Sequence, residues 1–562
     1  MMFSERKKGN IDISNILFKT FYTKKHFYMF GFLVFKGKES NTIDKTKIKL
    51  LFGERLYPIK FISYKNINIP ILKNILNFYG MRASLPKLAT LPINNLIRVV
   101  YVEEDEIVYK KALRYKLLFK KPYNNKYIKK LKECSSSLYL RQNAKNGMVL
   151  TVRNTNKSDN LNEQIKINFA YFLSKFMKHD KTLMYEKESE RYEESASIIF
   201  EKLVKRNYKN IYFIINKDNS NIKKIPDYCK NNIIYKNTLK HYIAFFTAKT
   251  FIGTEAPSHA IDLRIANKYA VRKIYSNDFK YVFLQHGVMM MVSLDSKGRS
   301  FFRKDGLMPK NAKVVVSSVK EAEHFVELGG YNMDDLYISG LPKFDKNKHY
   351  RNARKIVIMP TWRPWEFNSM RVSIEKTGYY KMVKEIIDNI PEKFRKKIVL
   401  LPHPLVAEYL KDSEYSKYML KKFIYDEVLK DCNVLITDYS SVAFDAFYRG
   451  ANVIFWWKDK DACMQEYEGK LMLNMDNVYG PVCYNGKELS KAVEATYRKK
   501  QSKENKEKYQ DLVNFHDNNN SERLIEFMER DKIIEKENNL VVSNNIIEEH
   551  KSFKLTRIES HK

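Results

Sequence analysis

Cysteine is scarce in this chain of 562 residues and follows no pattern. The five cysteines lie far apart without CxxC spacing, which excludes a disulfide framework and the common zinc sites. No apolar run approaches the roughly 18 residues of a membrane span, and the aromatic segment 27–35 is too short for one. The first residues also lack the ordered regions of a signal peptide. We therefore expect a protein of the reducing cell interior that does not cross a membrane.

Several enzyme signatures are missing as well. The sequence contains no GxxxxGK[ST] loop, no GxGxxG and no HExxH. Ser440 and Ser441 lie outside a GxSxG elbow, which argues against a serine hydrolase. No paired Cys/His set indicates a metal. We predict no metal site and no certain cofactor, and we leave open an assisting divalent cation such as Mg²⁺, for which no carboxylate pair marks a place.

Positive charge is abundant. Lys and Arg number 101 against 65 Asp and Glu, a formal net charge of +36. Such an excess favours a polyanionic partner, which is nucleic acid, an anionic membrane surface or a phosphate-rich polymer, although a Lys-, Asn- and Ile-rich composition alone is another source. With 44% apolar residues the chain is foldable, and its length suits three or four domains.

Residues 1–155 differ in pattern from the rest. Short runs of β-formers at 47–52, 97–102 and 149–153 predict a small β-rich domain. Within it, 109–132 interleaves many lysines with Tyr, Leu and Phe. This segment is either a contact surface for anionic lipid or polymer, or a solvated face whose lysine stems cover apolar surface.

From about residue 165 strands and helices alternate, which predicts two doubly wound α/β domains facing a cleft, at 165–346 and 353–530. A polar, basic linker at 347–352 separates them, and a polar tail occupies 531–562. A helical pattern after residue 501 predicts an element that crosses back to brace the first half. Strands are predicted at 211–215, 250–252, 281–284, 314–316, 337–338, 355–359, 398–401, 434–436 and 453–456, and helices at 190–206 and 380–390.

The segment 433–450, NVLITDYSSVAFDAFYRG, carries the strongest local signal. An apolar strand at 434–436 leads into a polar turn at 437–441 and then into a helix that ends at Gly450. This arrangement presents free N–H groups and the positive end of a helix dipole to an anion such as a phosphate. The alternative is an ordinary helix with a capping serine.

Four predicted strands end in polar residues, and the carboxyl ends of parallel strands share one edge of a sheet, where ligands bind. These endings are Gln285–His286–Gly287, Pro360–Thr361–Trp362–Arg363, Pro402–His403–Pro404 and the turn at 437–441. His286 is placed to take a proton from an attacking hydroxyl, beside a glycine that allows close approach of a substrate. His403, held between prolines, is placed to donate to a phosphate or to protonate a leaving group. A structural histidine is the alternative at both positions.

Each of the charged residues near these strand endings has either a ligand-binding or a structural interpretation. The planar guanidinium of Arg363 suits a diphosphate, or else packs against neighbouring tryptophans. Asp438 and Asp445 either accept hydrogen bonds from ligand hydroxyls or cap the turn. Asp445 lies one helical turn beyond Ser441, so we expect it to face the same region.

These residues together resemble the CDP-glycerol glycerophosphotransferase family, which comprises teichoic acid polymerases and primases. ITDYSSVAFD is similar to the family signature, and the resemblance covers about residues 165–530. Further similar segments, in the family's order, are YEKESERYEESASIIFEKL, FLQHG, ISGLPKFDK, IMPTWRPW, LPHP, GPVCYNGKELSKAV and NFHDNNNSERLIEFM. The chain departs from the family where it reads QHGVMMMV in place of WHGTPLK, and where Trp and Pro flank Arg363.

The resemblance implies a GT-B-like fold in which the C-terminal half holds a CDP-alditol. It implies that the histidines of the HG and HP motifs, His286 and His403, act in phosphoryl transfer. The residues it places on the donor side are Thr361, Arg363, Thr437, Asp438, Ser440, Ser441 and Asp445.

We predict an enzyme that moves an alditol phosphate, glycerol phosphate foremost, from a CDP-alditol to a hydroxyl of a lipid-linked glycan or polymer, releasing CMP. The product is a teichoic-acid-like or capsular polymer. We expect peripheral attachment at the cytoplasmic face of the membrane through an anionic surface, and no nucleic acid partner. The alternatives are a GT-B glycosyltransferase or epimerase using a UDP-sugar, and a non-catalytic protein that binds an anionic polymer.

Overall fold

The computed structural model describes most of the chain from residue 147 onward. Before residue 147 it describes ten strands and short segments next to some of them. The described ranges are 12–22, 26–36, 44–52, 55–69, 74–84, 94–104, 106–112, 125–130, 136–142 and 147–536, apart from 264, 307, 371–372 and 421–424. The predicted tail at 531–562 therefore lies mainly outside the described residues, as does much of the lysine-rich segment 109–132.

The N-terminal region is built of antiparallel strands. One sheet has the order β1-β2-β6-β5, and the second has the order β4-β3-β7-β11-β10-β9 with β8 paired to β7. Consecutive residues are buried in β7, β10 and β11, so both faces of these strands are covered. The strands are β1 Asp12–Tyr22, β2 His26–Lys36, β3 Ile48–Phe52, β4 Arg55–Pro58, β5 Lys60–Ile69, β6 Asn74–Ser84, β7 Asn94–Glu103, β8 Glu106–Ala112, β9 Asn125–Lys130, β10 Ser136–Gln142 and β11 Met148–Asn154.

The first α/β half is a seven-stranded parallel sheet of order β14-β13-β12-β15-β16-β17-β18. Its strands are nearly continuous apolar runs, because helices cover the sheet. The elements are α1 Leu161–Ser174, β12 Lys181–Tyr185, α2 Ser195–Lys205, β13 Ile211–Ile215, β14 Ile233–Tyr235, α3 Leu239–Thr247, β15 Ala248–Gly253, α4 Lys268–Ile274, β16 Lys280–Phe283, β17 Ala312–Val316, α5 Val319–Glu327 and β18 Leu336–Ile338.

The second half is a five-stranded parallel sheet of order β20-β19-β21-β22-β23. Every residue of β22 is buried, as expected for an inner strand covered on both faces. The elements are β19 Lys355–Ile358, α6 Phe367–Met370, α7 Gly378–Asp388, β20 Ile398–Leu400, α8 Pro404–Leu410, α9 Tyr425–Lys430, β21 Cys432–Thr437, α10 Val442–Arg449, β22 Asn452–Trp456, α11 Lys460–Tyr467, β23 Val482–Cys483, α12 Gly486–Thr496, α13 Lys503–Leu512 and α14 Asn520–Arg530.

The predicted fold class is confirmed: two parallel α/β sheets follow a β-rich N-terminal region. All nine predicted α/β strands form within one or two residues of the expected positions. β12, β14 and β23 were not predicted. The exact domain limits stay predictions.

The last helices return to the first half, as the sequence predicts. The Phe527 ring of α14 stacks on Tyr337 of β18, with ring centroids 5.1 Å apart. Glu522 of the same helix forms an ion pair with Lys202, with 2.6 Å between Oε1 and Nζ. Both apolar and ionic contacts therefore hold α14 against the first half. Among the helices that the structure describes, none combines the length and apolarity needed to span a bilayer.

Candidate active site

The turn after β21 is fixed to the end of β19 by short hydrogen bonds. Thr437 donates through Oγ1 to the Met359 carbonyl at 2.6 Å. Asp438 Oδ1 accepts from the Thr361 N–H at 2.8 Å and from its hydroxyl at 2.6 Å, and also from the Tyr439 N–H. Asp438 is therefore occupied in capping the turn, which is one of its two predicted roles. Two of the predicted polar strand endings, after β19 and β21, are joined here.

Arg363 lies beneath this turn, with only 2% of its side chain exposed. Its guanidinium pairs with Asp438 at 2.8 Å and with Asp459 at 2.9 Å. Burial alone would lower the pKa of Arg363, but the two carboxylates raise it well above its ordinary value. The guanidinium also donates to the Thr361 carbonyl at 2.7 Å, so it positions the turn from below through groups of the protein itself.

The Ser440–Ser441 segment presents unused backbone donors. Ser441 occupies the N-cap position of α10, yet its side chain makes no capping hydrogen bond. Within the described part of the chain, no group accepts a hydrogen bond from the N–H of Ser440 or Ser441. N–H groups without an acceptor at the positive end of a helix are the donors that anion sites use, so the geometry is compatible with the predicted anion site.

The loop after β16, in the first half, reaches this same turn. A β-carbon placed on Gly287 would lie 2.9 Å from Ser441 Oγ. Only glycine permits this approach without displacing the serine. The preceding residue, His286, is exposed while Gln285 and Gly287 are buried. The predicted base and the predicted anion site therefore come together at the junction of the two halves.

Lys343, in the turn Pro342–Lys346, connects both sides of this junction. Its Nζ lies 2.6 Å from Asp445 Oδ1 in α10 and donates to the His286 carbonyl at 2.8 Å. The side chains of Lys343 and Asp445 are only 13% and 10% exposed, so this ion pair is shielded from water. Asp445 does face the same region as Ser441, as predicted, and its partner there is a lysine.

A carboxylate lies beside His286. Glu255 Oε1, two residues after β15, is 3.9 Å from His286 Nδ1. Burial raises the pKa of Glu255, while His286 and then Lys187 act in the opposite direction. At 3.9 Å the carboxylate does not hydrogen-bond to the ring, but its negative charge favours an imidazolium at this position.

His403 lies at the end of β20, half-buried, with its ring stacked on Trp362 at 5.3 Å between centroids. Burial lowers the pKa of His403, and the charge of Lys187 lowers it further. Lys187 belongs to the first half and also acts on Glu255. The Lys187 charge therefore acts to lower the pKa of both Glu255 and His403.

Comparison with known proteins places this site in a family. The family model described as CDP-Glycerol:Poly(glycerophosphate) glycerophosphotransferase matches residues 167–530. The chain belongs to this family.

The relatives of this glycerophosphotransferase-family chain are distant. The minor teichoic acid biosynthesis protein GgaB of Bacillus subtilis (strain 168) is 24% identical over 72% of this chain and 46% of the relative. The teichoic acid poly(glycerol phosphate) polymerase of Staphylococcus epidermidis is 24% identical over 54% of this chain and 44% of the relative. The chain thus spans less than half the length of these curated relatives. The solved structure of the wall teichoic acid polymerase TagF is 18% identical, covers 67% of this chain and 95% of that chain, and has a TM-score of 0.48.

The sequence predicts the turn and both histidines as site residues, and these assignments stay predictions; it did not single out three charged residues that the structure places beside them. Glu255 carried a usable signal, because it follows a strand that ends at the same sheet edge. Lys187 and Lys343 lie in the quoted segments YEKESERYEESASIIFEKL and ISGLPKFDK, but their residue type did not single them out, because lysine is frequent throughout the chain. No cluster of three or more potential metal ligands occurs among the residues that the structure describes.

Proposed function

We propose that this chain is an enzyme that transfers an alditol phosphate, glycerol phosphate foremost, from a CDP-alditol to an acceptor hydroxyl, releasing CMP. The observation that carries the proposal is the approach of the His286–Gly287 loop to the Ser441 end of α10. It supports a base and an anion site, supplied by opposite halves, acting on one phosphate. Family membership supports the same class of donor.

In the proposed reaction His286 removes the proton from the acceptor hydroxyl. The hydroxyl oxygen attacks the phosphorus that carries the alditol, a new P–O bond forms, and the P–O bond to the CMP phosphate breaks. CMP leaves with the electron pair of that bond. The Glu255 carboxylate, 3.9 Å from the His286 ring, stabilises the imidazolium that forms.

The remaining groups stabilise negative charge on the two donor phosphates. We assign this task to the free N–H groups of Ser440 and Ser441 at the positive end of α10 and to His403, whose neutral ring retains a donor. Thr361, Thr437, Asp438 and Arg363 position the turn that presents those N–H groups. Positioning and electrostatics supply most of the acceleration in phosphoryl transfer, so groups of these types are sufficient to catalyse the proposed reaction.

The acceptor in this proposal is a lipid-linked glycan or a growing polymer of the teichoic acid or capsular type. The relatives' printed names support a teichoic acid acceptor. In this proposal the protein acts at the anionic cytoplasmic face of the membrane. Its net charge of +36 supports this location.

The test is incubation of the purified chain with a panel of CDP-alditols and a lipid-linked acceptor, with CMP release and the acceptor mass as readouts. We expect CMP release and an acceptor that grows by whole alditol phosphate units. His286→Ala and His403→Ala are each expected to lower turnover by about 10²–10⁴-fold, the range of a lost acid–base or charge-stabilising group. His179→Ala, an exposed histidine outside the site, is the matched control.

Other outcomes identify the rival functions. Release of UDP from a UDP-sugar, without CMP release, would indicate a glycosyltransferase or epimerase. Salt-sensitive binding of an anionic polymer that both histidine variants retain, with no turnover of any CDP-alditol, would indicate a non-catalytic binding protein. Parallel assays with Mg²⁺ and with EDTA decide whether a divalent cation takes part.

A further inference from the structure

The loop after β12 carries two consecutive residues in the left-handed backbone region. Glu188 has a φ of 55° and Ser189 a φ of 57°, and neither is a glycine. This conformation costs free energy in a residue with a β-carbon, and it persists only where surrounding contacts fix it. Strained backbone of this kind is concentrated at functional sites, which makes the loop 186–189 a candidate for a role in function.

Hydrogen bonds to the body of the first half fix this loop. The Glu188 N–H donates to His259 Nδ1 at 3.0 Å, and the Ser189 hydroxyl donates to the His259 carbonyl at 2.9 Å. The fully buried carboxylate of Glu186 accepts three backbone N–H groups around the start of α2. The backbone on both sides of Lys187 is therefore held in place, while the Lys187 side chain is exposed.

The loop is connected to the proposed base through His259 and Glu255. His259 Nε2 lies 4.0 Å from Glu255 Oε2, and Glu255 Oε1 lies 3.9 Å from His286 Nδ1. Because β12 pairs with β15 and β15 with β16, the loop and these residues follow neighbouring strands at one edge of the sheet. The charge of Lys187 also lowers the pKa of His403, which belongs to the second half. Lys187 is therefore within electrostatic reach of both halves of the cleft.

Lys187 is a cation of this site without a carboxylate at ion-pair distance. Among the residues that the structure describes, none forms a hydrogen bond or an ion pair with its Nζ. Arg363 and Lys343, two other cations of the site, are both paired with carboxylates of the protein. An unpaired ammonium group on a firmly held backbone is suited to bind an anion from outside the protein.

We propose that Lys187 binds the donor diphosphate, through the phosphate that carries the alditol. The inference rests on the proposed function, in which this phosphate is transferred. The start of α10 offers N–H donors from the second half and Lys187 a full positive charge from the first, so both sides of the cleft stabilise negative charge on the phosphate. The ammonium group is a point charge with three rotatable donors, which can follow the phosphate oxygens as the geometry at phosphorus changes.

The first experiment measures binding of CDP, an unreactive diphosphate, to the full chain by isothermal titration calorimetry. Lys187→Met is expected to weaken CDP binding at least about tenfold, because a hydrogen bond to a charged group is lost. Lys217→Met is the matched control and should bind CDP as the unmodified chain does. Lys217 is also exposed, has no partner within the described part of the chain, and lies two residues after the neighbouring strand β13.

Three results of this titration would overturn the proposal. They are equal CDP affinities in all three chains, an equal loss of affinity in both variants, and no CDP binding by the unmodified chain. The second of these would show that the affinity depends only on the overall positive charge of the surface.

The second experiment measures turnover and stability. We expect kcat/KM for the CDP-alditol to fall at least about tenfold in Lys187→Met and to be partly restored in Lys187→Arg, which keeps the charge. Urea unfolding should give nearly the same midpoint for the unmodified chain and both variants, because an exposed side chain without a described partner contributes little to stability. A lowered midpoint in Lys187→Met with unchanged CDP affinity would assign Lys187 a structural role and overturn the proposal.

The two experiments together separate this inference from the proposed function. If the unmodified chain releases no CMP from any CDP-alditol while CDP binding still depends on Lys187, the transfer function is wrong and the diphosphate contact stands. If Lys187→Met releases CMP as fast as the unmodified chain and binds CDP equally well, the contact is wrong and the transfer function stands.

Discussion

Lys343 and Asp445 form an ion pair across the junction of the two α/β halves, with 2.6 Å between Nζ and Oδ1. Lys343 also donates to the carbonyl of His286, so one ammonium group fixes the proposed base relative to α10. The base and the anion site belong to different sheets and need such a link to keep their spacing. We infer that this contact sets the geometry on which turnover depends.

Lys343→Met is expected to lower both stability and turnover. It leaves the Asp445 carboxylate, which is only 10% exposed, without its partner, and such a loss costs about 3 kcal/mol. Urea unfolding and CMP release measure the two effects. In the double variant Lys343→Met, Asp445→Leu we expect stability to recover and turnover to stay low. Full turnover in the double variant would show that the ion pair only stabilises the fold.

The strand endings were predictable because buried parallel strands are apolar runs that stop abruptly. Val434–Leu435–Ile436 before Thr437 is such a run, and the structure places it in β21 as expected. β12 was missed because KTLMY is short and begins with polar residues, and β14 because it has only three residues. Pairing with their neighbours in the sheet, which no local pattern reveals, makes them strands.

The environment of Arg363 was beyond sequence reasoning for a different reason. Its second carboxylate partner, Asp459, is 96 residues away in the chain. Without that contact, a ligand clamp and a packed arginine had equal support. The same holds for Glu255 and His286, which follow the neighbouring strands β15 and β16 and meet only in the folded sheet.

Glu255→Gln is expected to lower kcat about tenfold or more while leaving the KM for the CDP-alditol nearly unchanged. The carboxylate acts on the imidazolium that forms only as the proton is removed, so its loss affects the transition state and not the bound ground state. Steady-state kinetics at saturating acceptor measure both constants. Glu255→Asp, which keeps the charge, should retain more activity than the glutamine variant. A raised KM with unchanged kcat would instead assign Glu255 to donor binding.

Gly287→Ala tests the close approach of the two halves. The added methyl group would lie 2.9 Å from Ser441 Oγ, closer than carbon and oxygen tolerate, so the Ser441 hydroxyl must rotate away or the loop and the turn must separate. We expect turnover to fall by at least about tenfold, because misplacement of a reacting group is costly. Ser441→Ala removes the opposing oxygen, and the next atom, Ser441 Cβ, lies at 3.5 Å. The double variant Gly287→Ala, Ser441→Ala should therefore be more active than Gly287→Ala alone.

Acid should destabilise the first half through its buried histidines. His241 is fully buried in α3; its Nδ1 accepts from the Asn237 N–H at 3.2 Å, and its Nε2 lies 2.8 Å from the Ala260 carbonyl. This pattern requires the neutral ring, because a proton on Nδ1 would oppose the Asn237 donor. Burial accordingly lowers the pKa of His241 to about 4. In the unfolded chain the pKa is about 6.5, so the unfolded state takes up the proton first.

The sign of the effect follows from this difference. Above about pH 6.5 both states are neutral and the stability of the fold is fully present; it falls as pH decreases from 6.5 to 4, by roughly 3 kcal/mol for this one group. Urea unfolding at a series of pH values measures the slope. His241→Gln is expected to be less stable at pH 7 but to show a shallower slope, whereas His179→Gln, an exposed position, should keep the original slope. An unchanged slope in His241→Gln would show that this ring takes up its proton at the same pH in the folded and unfolded states, contrary to the prediction.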